Sequence, residues 1–258
     1  MLIAVDIGNT NIVIGVFDEK GISSHWRLST RKEATADEYA VMLLALFSTA
    51  RIDVSGIDGS IISSVVPSVE ETFGAALADY LGQRPLIVGP GVKTGMHILT
   101  DNPHEVGSDR IVNAVAAYSI YKRPCIIVDF GTAVTFDYVT AKGEYAGGAI
   151  APGITLAVEA LHQGTAKLPR IKIAKPRSVI GRNTVDSMRS GMYFGFASMV
   201  DGIVKRFKNE AGGDPMVVAT GGAASLIAKG CSTIDAVDEH LTLKGLKLIY
   251  EVNNGHDH

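Results

Sequence analysis

The strongest constraint on this chain is a short pattern that it uses twice. Near the start, Leu2-Ile-Ala-Val-Asp6-Ile-Gly8-Asn9-Thr10 precedes the apolar run from Ile12 to Phe17. Near the middle, Ile126-Ile-Val-Asp129-Phe-Gly131-Thr132 precedes the run from Val134 to Val139. Each copy reads as a buried strand ending in a carboxylate, a glycine turn with small polar side chains, and a second strand. Taken singly, either is compatible with an ordinary β-hairpin, because Gly8-Asn9 is a common two-residue turn signal. One copy opens each half of the 258-residue chain, and that repetition predicts two similar halves flanking a cleft. The turn chemistry suits a metal-bound polyphosphate. Glycine lets an oxygen approach the backbone, Asn and Thr supply donors, and the carboxylate holds a hard cation directly or through water.

The rest of the first half predicts an α/β layer with a hairpin on one edge. Ile22 to Leu28 is a third strand. Thr35 and Glu38 form a capping box for a helix over Ala36 to Ala50. A buried strand follows over Gly59 to Val66 and stops at Pro67. Ser68 with Glu71 then caps a second helix to Leu81, ended by Gly82, before a short strand at Pro85 to Val88. Ser63 and Ser64 read as ordinary strand-end polar residues and receive no role.

Between the halves, Thr94 to Arg110 is loop-like and leads into an apolar helix, Ile111 to Tyr121. Ser108 is the expected N-cap, which places Asp109 and Arg110 in the first turn, a position that favours anions. Asp109 either complements the helix dipole or accepts a proton from a substrate hydroxyl. The helix terminus and Arg110 are both expected to lower its pKa, which phosphoryl transfer tolerates, because its loose transition state needs an oriented hydroxyl more than a strong base. Arg110 is either an anion clamp or a partner of Glu105 or Asp101.

The second half repeats the three-strand opening over Cys125–Asp129, Ala133–Thr140 and Glu144–Ile150. A helix follows to about His162. Thr184 is expected to cap a long helix to about Asn209, in which Gly191, Gly195 and Gly202 predict close packing, against another subunit among the options. Met216 to Thr220 is a strand entering Gly221-Gly222, and Leu241 to Val252 is a final helix. The stretch from Lys167 to Arg182 is basic and holds no acidic residue. It reads as a solvated loop, with attraction of an anionic substrate the lesser reading. His256-Asp257-His258 reads as a frayed tail and not a metal site.

A net charge of −3 gives no case for nucleic acid as main partner. Two cysteines far apart in sequence argue against a disulfide framework and fit a reducing compartment. No segment reads as a signal peptide or a membrane span, so a soluble cytoplasmic protein is expected. The absence of G-x-x-x-x-G-K-[ST], H-E-x-x-H and G-x-S-x-G stretches excludes P-loop kinases, zincins and α/β-hydrolases.

In order along the chain stand Asp6-Ile-Gly-Asn-Thr10, Asp101-Asn-Pro-His-Glu-Val-Gly-Ser-Asp-Arg110 and Asp129-Phe-Gly-Thr132. They are followed by Gly147-Gly-Ala-Ile-Ala-Pro-Gly153, Thr165-Ala-Lys-Leu-Pro169, Ile180-Gly-Arg-Asn-Thr184 and Ala219-Thr-Gly-Gly222. Each is modest in specificity, but the ordered set, over nearly the whole chain, resembles type III pantothenate kinases of the acetate-kinase/sugar-kinase/Hsp70/actin superfamily.

The resemblance implies an α/β fold of two ribonuclease-H-like lobes, each a mixed sheet flanked by helices, at about residues 1–120 and 121–258. It implies ATP-dependent phosphorylation of pantothenate at the start of coenzyme A synthesis. Asp6, Ile7, Gly8, Asn9, Thr10, Asn11, Ile12 and Val13 would form the ATP phosphate loop, with Asp6 near Mg²⁺, and Thr132 would also contact ATP. Gly107, Ser108, Asp109 and Arg110 would bind pantothenate, with Asp109 as proton acceptor, and Thr184 would contact pantothenate as well. Asp129 would hold a monovalent cation, K⁺ or NH₄⁺. A homodimer with pantothenate bound near the interface is also implied. Members often carry a tyrosine directly before Asp-Asn-Pro, where this chain has Thr100. The competing reading is a nucleotide-binding regulator, an accessory factor for transcription without kinase activity, and only the basic loop points that way.

Overall fold

The computed structural model describes residues 1–254; the histidine-containing tail expected to fray lies outside them. Contacts divide the described residues into two units, residues 1–95, 102–116 and 242–254 in the first, and 96–101 and 117–241 in the second.

The first unit is built on β1 (Leu2–Ile7), β2 (Asn11–Asp18), β3 (Gly21–Ser29), β4 (Gly59–Ser64) and β5 (Leu86–Ile87), ordered β3-β2-β1-β4-β5. β1 runs antiparallel to β2 and parallel to β4, a mixed sheet with the apolar β1 at its centre. Ile3, Val5 and Ile7 on one face meet α1 (Ala36–Ala50) and α2 (Pro67–Leu81) through Tyr39, Leu43, Phe47, Phe73 and Leu77. Ala4 and Ile61 on the other face meet α3 (Ser108–Tyr121) at Val112, and α7 (Leu241–Asn254) at Leu243, Leu246 and Ile249. Buried apolar side chains on both faces explain why β1 reads, from Leu2 to Val5, as a continuous apolar run and not as alternation.

Helix α7 belongs with the first unit, although a boundary at residues 120/121 would assign it to the second. Its packing supplies the reason. A Cβ at Gly245 would stand 2.2 Å from the Val112 carbonyl oxygen, so only glycine permits this crossing of α3. Thr242 Oγ1 donates to Asn113 Oδ1 at 2.7 Å beside it.

The second unit repeats the plan with β6 (Cys125–Phe130), β7 (Ala133–Val139), β8 (Tyr145–Pro152), β9 (Met216–Thr220) and β10 (Ala236–Val237), ordered β10-β9-β6-β7-β8. Again the first strand pairs antiparallel with the second and parallel with a later one. Ile126, Val128, Val134 and Phe136 pack against α4 (Ile154–Gln163) and the 28-residue α5 (Thr184–Ala211), chiefly through Ile154, Tyr193, Phe196 and Val200. The short α6 (Ala224–Ile227) follows β9. Among the described residues no helix is long and apolar enough to cross a membrane.

Three expected caps fall elsewhere. Pro67 is the first residue of α2, and Val66 precedes it without a side-chain cap, so Ser68 and Glu71 do not cap this helix. Asn183, not Thr184, caps α5, accepting from Asp186 N at 2.9 Å; Asn is the stronger cap of the pair. Ser108 is already helical, and its hydroxyl is committed elsewhere, as described below. The expected close packing at Gly191, Gly195 and Gly202 does not occur within the chain: a Cβ at each would meet nothing within 4 Å.

Candidate active site

In the first unit, β1 carries Asp6 to its carboxyl end, on the face that Ala4 presents to α3 and α7. Gly8 N donates to Asn11 O at 3.0 Å and closes the turn, leaving Asn9 and Thr10 exposed at its tip. Ile7 and Ile12 are buried partners beneath it, and Asp6 stands opposite Val13. Thr30, the residue after β3, fastens the turn: its N donates to Thr10 O at 3.0 Å and its Oγ1 to Gly8 O at 2.7 Å. Thr30 escaped the sequence reading, because nothing local marks a threonine that binds a turn 20 residues away.

On the other side of β1, Asp6 is in register with Ser63 of β4. Ser63 is fully buried, and its Oγ lies 3.2 Å from Ser108 Oγ. Ser108 Oγ also accepts from Ser64 N at 3.2 Å and donates to Ser64 O at 3.0 Å. The start of α3 is thus stitched to the end of the strand beside Asp6. Ser63 and Ser64, given no role from sequence, are the residues that locate the Gly107–Arg110 segment. Gly107 O accepts from Ile111 N, so Gly107 holds the N-cap position expected for Ser108.

Asp109 follows directly. Its Oδ1 accepts from Arg110 N at 2.8 Å. Contrary to expectation, its carboxyl is pushed above the ordinary value of 3.8: burial outweighs the Arg110 N–H bond and the Arg110 charge that pull it down. The sequence supplied the charges but not the depth of the site. Burial also raises Glu70 on α2, with the Ser64 hydroxyl beside it partly offsetting the effect.

In the second unit, Asp129 at the end of β6 is in register with Thr135 on β7 and Thr220 on β9. Gly221 has φ +89°, and a Cβ there would lie 2.3 Å from Asp129 Oδ1. The glycine pair after β9 and the Asp129 turn therefore meet backbone to carboxylate. Gly153 N donates to Thr132 O at 3.1 Å and fixes the other side of that turn. Thr184 is exposed as the first residue of α5. The structure thus gathers Asp6–Val13 with Gly107–Arg110 in one unit, and Asp129 with Thr132 in the other, where Thr184 opens a separate helix.

Among the described residues no group of three or more His, Cys, Asp or Glu could hold a metal ion. The donor set fits a hard cation that keeps its waters and takes phosphate oxygens, for which one carboxylate suffices.

A family model described as type III pantothenate kinase matches residues 2–206. The type III pantothenate kinase of Geobacter sulfurreducens is 54% identical over 253 residues, covering 98% of this chain and 99% of the relative. That of Halalkalibacterium halodurans is 51% identical, covering 98% of this chain and all of the relative. Two solved structures share the fold at low identity. The activator of 2-hydroxyisocaproyl-CoA dehydratase from Clostridium difficile, with bound ADPNP, has a TM-score of 0.58 at 14% identity, covering 100% of this chain and 98% of that one. The inorganic polyphosphate/ATP-glucomannokinase from Arthrobacter has a TM-score of 0.51 at 14% identity, covering 99% of both. These likenesses establish two lobes of the actin and sugar-kinase type.

Proposed function

The chain belongs to the type III pantothenate kinase family, and from that premise we propose that it phosphorylates the primary hydroxyl of pantothenate with ATP. The product is 4'-phosphopantothenate, and the reaction opens coenzyme A synthesis. The observation that carries this reading is the Ser63–Ser108 contact, which brings the Asp109 segment to the end of the strand beside Asp6.

Asp6 to Val13, with Thr132, take the nucleotide. A magnesium ion, when bound, neutralises charge on phosphate oxygens, and Asp6 would hold it directly or through water. Gly107 to Arg110 and Thr184 bind pantothenate. Asp109 accepts the hydroxyl proton and aims the oxygen. Its pKa, raised by burial, makes it a better proton acceptor than an ordinary aspartate. Most of the acceleration is positioning and electrostatic stabilisation.

Asp129, which the Gly221 backbone approaches, would hold a monovalent cation, K⁺ or NH₄⁺. The enzyme works as a homodimer. Gly191, Gly195 and Gly202 lie exposed on one face of α5 with open space above them, and Val179 and Ile180 are exposed just before it. Free thiols at Cys125 and Cys231 suit a cytoplasmic location. The relatives' kinase names do not favour the regulatory alternative.

The test is ATP turnover with pantothenate against a panel of sugars and acetate, with and without potassium. Turnover with pantothenate alone supports the reading; turnover with a sugar instead sinks it.

A further inference from the structure

We infer that Asp137 is a positioning residue for the Asp129 turn, acting through the Thr135 hydroxyl on one side and the Tyr145 hydroxyl on the other. Asp137 lies within β7 and is fully buried. A carboxylate in such a place is unfavourable unless hydrogen bonded, and the strand would fold as well around an apolar side chain. Here each oxygen has a hydroxyl donor. Thr135 Oγ1 donates to Oδ2 at 3.1 Å, and Tyr145 OH donates to Oδ1 at 2.6 Å.

Both donors lead to places that matter. Thr135 is directly opposite Asp129 across the antiparallel β6–β7 ladder, so the two side chains project from the same face. With its proton committed to Asp137, the Thr135 hydroxyl turns its lone pairs away from Asp137. That leaves an oxygen acceptor on the face where Asp129 stands. Tyr145 carries a different load. Its backbone N donates to His97 O and its carbonyl accepts from Leu99 N, both at 2.8 Å. The segment that precedes Asp101-Asn-Pro103 is therefore zipped to the same tyrosine. One buried carboxylate fixes the neighbour of the cation carboxylate and the strand that holds the approach to the Gly107–Arg110 segment.

The inference rests on Asp129 being the cation ligand. The test is thermal unfolding of the full-length protein titrated with KCl or NaCl, alongside pantothenate kinetics, for wild type, Asp137→Asn and Thr135→Val. Asp137→Asn keeps the shape but leaves one good acceptor for two hydroxyl donors, and Thr135→Val removes one donor at nearly constant volume. For both, the potassium concentration giving half of the stabilisation should rise by about tenfold, the loss of one charge-assisted hydrogen bond. For Asp137→Asn the pantothenate KM should also rise severalfold, with kcat changed less. Folded variants with potassium midpoint and KM both within about twofold of wild type would overturn the role of Asp137. A wild type that potassium stabilises no more than sodium would overturn the Asp129 reading, and this inference with it. Should Asp137→Asn not fold, the midpoint of Thr135→Val decides alone.

Discussion

Ser63 Oγ lies 3.2 Å from Ser108 Oγ, joining residues 45 apart in sequence. Because Ser63 is also in register with Asp6, this contact couples the Asp6 turn, proposed to take phosphate, to the Gly107–Arg110 segment proposed to take the acceptor. Ser63→Ala should therefore cost about 1 kcal/mol of stability and lower kcat/KM for pantothenate more than the affinity for ATP. Thermal unfolding and steady-state kinetics would check both. An unchanged kcat/KM would make the contact structural only.

Asp109 yields a prediction whose sign is not the usual one for a charge-removing mutation. Its folded pKa is raised, so the folded protein binds the proton more tightly than the unfolded chain does. Stability therefore falls as pH rises from 3.8 through the folded pKa, and the ionised carboxylate is a net cost at neutral pH. Asp109→Asn should lower kcat by roughly 10²–10⁴ while the melting temperature at pH 7 holds or rises. A kcat near wild type would refute the acceptor role. The acidic limb of the kcat/KM profile should also lie above the ordinary aspartate range.

Asp129→Ala should abolish the response to potassium or ammonium in sodium buffer. Gly221→Ala should act in the same direction, because its methyl group would stand 2.3 Å from Asp129 Oδ1 at a φ that alanine avoids. Rates measured across a potassium titration would show it. A Gly221→Ala enzyme with normal potassium dependence would separate that turn from the cation.

The exposed face of α5 predicts an assembly. A Cβ at Gly195 would meet nothing within 4 Å, so Gly195→Glu should leave the fold intact and convert a dimer to a monomer in analytical ultracentrifugation. A wild-type monomer would contradict the dimer outright.

Both acidic turns and nearly every strand and helix were legible in the sequence, because glycine turns, apolar runs and caps such as Thr35–Glu38 are local signals. The failures were of two physical kinds. Caps slipped by a residue or two where neighbours competed for one place, as Asn183 did with Thr184. Partnerships across distant elements left no local mark: Ser63 with Ser108, Thr30 with the Gly8 turn, α7 with α3 at Gly245. Desolvation of Asp109 belongs to this second kind, since the sequence displays Arg110 but not the packing that encloses the carboxylate.

The most direct measurement follows the γ-phosphoryl group itself. Incubated with labelled ATP, magnesium, potassium and pantothenate, the wild-type protein should pass the label to a single product heavier than pantothenate by one phosphoryl group, and Asp109→Asn should not. Binding of ATP with label released only as inorganic phosphate, or transferred equally by the Asp109 variant, would contradict the account.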